Sequence, residues 1–297
     1  MPSLLGLTEE IIGHLHGHVD VPATGTLVGS ITAASTELAI DFGDTPGAAR
    51  PNGVIEVGTE LMVVNRFDPT TSLATVAPWG RGHRGTVATP HDAGAMVTVR
   101  PRFPRKRVAE AINETIRASS PPLFVARDLA PIDTGGFVGL GYPLPADTLR
   151  VLRVDATDRW GGELASRRVL RRWTVRSVAG QKLLEVDRNE VLQTVQVTVA
   201  ANPAPLVNDA DDFATVTGLA ESCVDVVIYG ALAKLVMGVE LARQQVITPE
   251  AMARADKVPV QSGIAISRYY TALYQQRLAV EQDRLNQEYP IQLLRRG

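Results

Sequence analysis

The spacing of apolar residues changes character along this chain, and those changes constrain its fold more than any single motif does. From about Gly25 to Val99 the apolar residues fall in short β-prone runs: Thr26-Leu27-Val28, Leu38-Ala39-Ile40, Val54 to Val57, Glu60 to Val64, Leu73 to Val76 and Ala95 to Val99. Gly, Pro, Asp and Asn turn signals separate them at close intervals, which reads as a small all-β module. At Pro104 the period becomes helical, because Val108, Ala111, Ile112 and Ile116 share one face of a 3.6-residue repeat. Pro121 and Pro122 stop that helix. A second β region follows, with candidate strands Thr148 to Val154, Arg168 to Val178, Lys182 to Val186 and Thr194 to Ala200. From Thr217 onward the chain turns helical again. Val224, Val227, Ile228, Ala231, Leu232, Leu235, Val236 and Val239 form one broad apolar stripe. A short piece starts at Thr248-Pro249-Glu250, and a last helix spans about Gly263 to Tyr289, before Pro290.

Three amphipathic helices separated by β material each need a partner for their apolar face. The expected fold class is therefore α+β: a helical bundle with an inserted β module and an N-terminal small all-β module, unlike a parallel-sheet enzyme. The expected division is residues 1–100 for the N-terminal β module with a short leading helix, from Leu7 to Leu15, and 101–122 for the first bundle helix. Residues 123–207 form the inserted β domain, and 208–297 the closing helices and a tail.

Composition narrows the function. The 297 residues carry 30 basic and 32 acidic side chains, a formal charge of -2, so a protein whose main task is gripping nucleic acid is disfavoured. Cys223 is the only cysteine, which excludes an intrachain disulfide and a Cys-based zinc site. No apolar run reaches the ~18 residues of a membrane span, and the first thirty residues lack the pattern of a secretory signal. The protein is expected to stay in the compartment where it is made.

Five local patterns invite chemistry. Gly80-Arg81-Gly82-His83-Arg84-Gly85 has the spacing of a dinucleotide fingerprint, but Thr86 to Pro90 offers no helix to hold a pyrophosphate, so a Gly-rich connection between strands is expected. His14, His16 and His18 alternate; on a strand they would share a face and could bind a metal, and on a helix they would diverge. That metal-binding module is the alternative of another class. Cys223 lies near a helix start, where a thiolate could be stabilised, yet no nucleophile-and-base motif accompanies it. Two arginine clusters, Arg100 to Arg107 and Arg167 to Arg176, read as solvated faces or as surfaces for phosphate or acidic partners. Asp209, Asp211 and Asp212 read as turn and capping oxygens. No cofactor, metal or catalytic residue is assigned, and the chain is not expected to be an enzyme.

One resemblance spans most of the chain. Glu60 to Val64, Leu73 to Val76, then Gly80-Arg81-Gly82, Gly85-Thr86, Ala88, His91 and Ala93-Gly94 resemble a β module of phage structural proteins. In that module a strand bearing Glu and Met precedes an RG-x-x-GT turn and an H-x-x-G return. Here the turn is longer, with Pro78-Trp79 in place of the usual strand end. Pro101 to Pro104 with the helix to Ile116, and the segments Leu219 to Gln244 and Ser267 to Pro290, are similar to the helices of tailed-bacteriophage head-to-tail connector (adaptor) proteins.

That resemblance implies a virion structural protein at the head-tail junction, assembled in the host cytoplasm. It would form a homo-oligomeric ring, commonly a dodecamer, between the portal protein and a tail or second connector or tail-terminator protein, with duplex DNA passing through. Another tail, baseplate or capsid-associated component is the nearest alternative. Under the connector reading, Arg105, Arg107, Arg171, Arg172, Tyr269, Tyr270, Leu273, Tyr274, Leu278, Leu285 and Tyr289 are the candidate oligomer or portal contacts. Asp209, Asp211 and Asp212 are the candidate lumen-facing acids, in a lumen through which DNA slides without sticking. The tail Ile291 to Gly297 is expected to order on docking.

Overall fold

The computed structural model describes residues 2–17, 21–43, 49–133, 141–157, 167–170, 173–186, 194–244 and 262–290. The chain divides into two compact units, one of residues 5–112 and 231–269, the other of residues 1–4, 113–230 and 270–297.

The first unit contains six strands that close into a barrel. They are β1 (Thr24–Leu27), β2 (Glu37–Asp41), β3 (Gly53–Val57), β4 (Glu60–Asp68), β5 (Leu73–Val76) and β6 (Met96–Val99), joined in the order β1-β2-β5-β4-β3-β6. Closure comes from β6, which pairs antiparallel with both β1 and β3, Gly25 facing Val97 and Ile55 facing Val99. A closed sheet has no free edge, so every strand's backbone groups find partners. Leu27, Leu38, Ile40, Ile55, Val57, Met62, Val64, Ala74, Val76 and Val97 are buried together in its core. Before the barrel runs α1 (Leu4–His16), whose Leu7, Ile11 and Leu15 are buried. After it, α2 (Arg105–Ala118) starts at the residue following Pro104 and buries Val108, Ala111, Ile112 and Ile116 completely.

The second unit holds most of the later β structure. A sheet takes the order β11 (Arg167–Val169), β10 (Thr148–Thr157), β14 (Thr194–Ala201) and β7 (Val125–Asp128), with β8 (Ile132–Asp133) also pairing β14. A second sheet joins β12 (Trp173–Val178), β13 (Gln181–Val186) and β9 (Tyr142–Pro143). Val195, Val197 and Val199 alternate inward on β14 and pack with Val151, Val154, Leu170 and Leu184. The segment Arg168 to Val178, a single expected strand, is divided between β11 and β12 in different sheets. Three more helices follow: the short α3 (Phe213–Thr217), α4 (Val224–Gln244) and α5 (Ser262–Glu288). The expected short piece at Thr248 lies outside the described residues, as does the tail from Ile291.

The expected fold class is corrected. The described residues hold five α-helices and fourteen β-strands, six of which close into a barrel, and they do not form a helical bundle with a β module inserted. The apolar helical stripes are present, and α2, α4 and α5 meet at Gly230, but helical amphipathicity says nothing of a barrel closed by strand pairing. Among the described residues, one apolar cluster fills the barrel and another the second β region. Barrel closure rests on pairings between strands far apart in sequence, which local periodicity does not register.

Candidate functional site

The most organised polar site lies in the barrel unit, around Glu60. Alternation along β4 sets Glu60 on the face shared with Met62 and Val64, which line the barrel core, and its side chain is 0% exposed. Burying a carboxylate there requires a full set of donors. Oε1 accepts from Arg81 Nε at 2.7 Å and Gly82 N at 3.1 Å. Oε2 accepts from Arg81 Nη2 at 2.9 Å, Thr89 N at 3.1 Å and His91 Nε2 at 2.9 Å. Burial pushes this carboxyl up, but the Arg81 fork with the Thr89, His91 and Gly82 donors outweighs it and holds the pKa at about 2.

Arg81 uses its remaining donors on backbone: Nη1 donates to Thr32 O and Ser35 O, both at 2.8 Å, and Nη2 to Thr89 O at 2.8 Å. One guanidinium therefore ties the β1–β2 connection, β4 and the segment leading to β6. Thr86 adds a fourth tie, its Oγ1 accepting from Leu61 N at 3.0 Å and donating to His83 O at 2.9 Å. The glycines of this segment are fixed by geometry. A Cβ at Gly80 would lie 2.7 Å from Val63 O, and Gly82 has φ 63°. The dinucleotide-like run is a connection containing a three-residue 3-10 turn, His83–Gly85, with no following helix to hold a phosphate.

A second buried cluster joins α1, β3 and α2. Glu56 alternates with the core residues Ile55 and Val57 and so faces away from the barrel interior, where it accepts from Arg105 N at 2.7 Å and Arg105 Nη1 at 3.1 Å. Arg105 Nε also donates to Glu9 at 2.6 Å. Desolvation dominates at Glu56: against the Arg105 donors, burial raises its pKa to about 7.

The sequence-predicted residues are dispersed rather than gathered. Arg105 is buried in the cluster just described, while Arg107 is half exposed and pairs with Glu110 at 3.4 Å. Arg171 and Arg172 lie outside the described residues. On α5, Tyr269 is 61% exposed, Tyr270 is buried and stacks on Tyr229 at 6.4 Å, and Leu273, Tyr274 and Leu278 are half buried. Leu285 is buried and Tyr289 meets Phe124 edge to face at 6.1 Å. Among the acids, Asp211 accepts from the Val207 and Asn208 N–H groups at 2.7 and 2.8 Å, and Asp212 caps α3 through Thr215 N at 2.9 Å. Those bonds lower both carboxyls, while Asp209 is exposed.

His14 and His16 lie on α1, where residues two apart diverge, and His18 is outside the described residues. Among the described residues, no group of three or more His, Cys, Asp or Glu side chains is placed to hold a metal ion. Cys223 is buried beside Glu281, its Sγ 3.6 Å from Oε2, and burial together with that carboxylate pushes the thiol up to about 11. It is a protonated thiol at neutral pH, not an activated nucleophile. Among the described residues, no helix is long and apolar enough to cross a membrane.

Sequence reasoning quoted Glu60, Arg81 and His91 as parts of a pattern but gave them no role, and it passed over Glu56. A signal was present: a glutamate in step with Met62 and Val64 breaks the apolar alternation of its strand, and such breaks mark buried networks. Compared with known proteins, the chain matches no family model, and no curated protein matches it.

Proposed function

We propose that this chain is a structural protein of a tailed-bacteriophage virion, a head-to-tail adaptor that assembles as a homo-oligomeric ring between the portal and the tail. Duplex DNA passes through the ring's lumen, and the site of action is the head-tail junction. The observation that carries this reading is where the quoted motif residues go. Glu60, Arg81, Gly82 and His91 enter one saturated network that fastens the barrel's connections to β4, and Thr86 separately ties the same segment to Leu61 of that strand. A carboxylate with five donors around it has no capacity left to act as a base, so the motif is a signature of architecture, as expected of a module reused in assemblies.

Exposed aromatic groups give the assembly a means of contact. Trp79 is 70% exposed and Tyr269 61% exposed, residue types that carry much of the binding energy when protein surfaces meet. A closed ring of one protein needs heterologous contacts, one surface meeting a different surface of the next copy.

Tyr269→Asp tests the reading. Coexpressed with the portal protein of the same virus, the wild-type chain is expected to co-purify as a multi-copy complex. The variant is expected to keep its circular dichroism and lose the complex. Unchanged co-purification removes α5 from the interface, and a wild-type chain indifferent to the portal contradicts the proposal. Tyr270→Asp is the weaker probe, because Tyr270 is buried against Tyr229 and its loss perturbs folding.

A further inference from the structure

A cleft of about 250 Å³ opens in the barrel unit, lined in part by Asn52, Arg84, Arg100, Pro101 and Pro104. Its three longest polar side chains share a backbone peculiarity. Asn52, Arg84 and Arg100 have φ of 59°, 53° and 51°, the left-handed region that asparagine tolerates and arginine avoids. Glycine would occupy those conformations without penalty, as it does next door at Gly82 and Gly85. Disfavoured backbone held at both arginines around one cavity points to a place where those side chains are needed. Arg84 and Arg100 are exposed, and neither side chain has an ion-pair or hydrogen-bond partner among the described residues. Arg81 and Arg105, by contrast, are consumed by buried carboxylates. Lys106 adds positive charge nearby, its Nζ donating to Gly85 O.

We infer that this cleft is an oxyanion site that takes a phosphate group, with Arg84 and Arg100 as its ligands and Asn52 as an auxiliary donor. A guanidinium presents paired N–H groups that match two phosphate oxygens, and two of them with an amide supply more donors than a carboxylate can use. The space equals that of about eight waters in bulk, enough for one phosphate and part of its hydration. The phosphate can be free or belong to a nucleic-acid backbone. The inference stands apart from the virion reading, since it needs neither a ring nor a portal.

The test titrates the purified full chain with inorganic phosphate by calorimetry, and with a short fluorescent DNA duplex by anisotropy at several salt concentrations. Both are repeated on the Arg84→Gly/Arg100→Gly double variant, which keeps the positive φ available, so its Tm should not fall. Arg84→Gln/Arg100→Gln provides a second variant should glycine loosen the loops. Saturable phosphate binding that weakens at least tenfold in the variants supports the site. A DNA salt slope shallower by about 2 in the variants identifies the backbone as the source. Phosphate binding without a DNA change supports the site with free phosphate as its ligand. Unsaturable phosphate binding, equal binding by the variants, or binding of a polyglutamate peptide but neither phosphate probe overturns it.

Discussion

Glu56 and Glu60 sit four residues apart in sequence, both are buried, and their neighbours set them to opposite behaviour. Glu60 has its pKa lowered to about 2 from 4.5, so the stability it contributes is present above pH 4.5 and lost as pH falls toward 2. Glu56 has its pKa raised to about 7, so its contribution is fullest below pH 4.5 and declines as pH rises through 7. Each window is worth roughly 3 kcal/mol by linkage. Glu56→Gln should flatten the decline: urea midpoints of the variant at pH 5 and pH 8 should differ less than those of the wild type. An unchanged difference would place the titration elsewhere. Arg81→Lys should destabilise the barrel unit by about 3 kcal/mol, because a lysine cannot supply a forked contact to Glu60 and reach three carbonyls as well. Chemical denaturation of the variant measures that loss.

Among the elements, α2, α4 and α5 approach one another closely at Gly230. A Cβ there would lie 2.3 Å from Thr115 Cγ2 and 3.0 Å from Tyr274 Cδ2, so Gly230→Ala should cost about 1–3 kcal/mol by overpacking. Thr115→Ser removes the offending methyl, and the double variant should recover much of that loss in a thermal unfolding cycle. Additive losses would show that Gly230 is needed for a different reason. The elements themselves were largely legible. The period change after Pro104 locates α2, and the runs at Leu73 to Val76 and Thr194 to Ala200 coincide with β5 and β14. Strands β7, β8 and β9 were not, being two to four residues long and lacking clean alternation. Arg168 to Val178 looked continuous because its β-prone character persists across a break between two sheets.

At the scale of the whole molecule, the barrel and its polar fastening are the features that sequence periodicity could not supply. Closure depends on β6 meeting β1 and β3 at once, and the fastening depends on Arg81 reaching Thr32 and Ser35 from more than forty positions away. The candidate interface residues are spread between exposed Tyr269 and buried Arg105, Tyr270 and Leu285, so only part of that set is available for contact with another protein. Negative-stain imaging of the purified chain with and without the portal protein of the proposed phage tests the central claim most directly. Closed rings with an open centre, formed alone or on the portal, are the predicted result. Particles that stay single copies in the presence of the portal would contradict it.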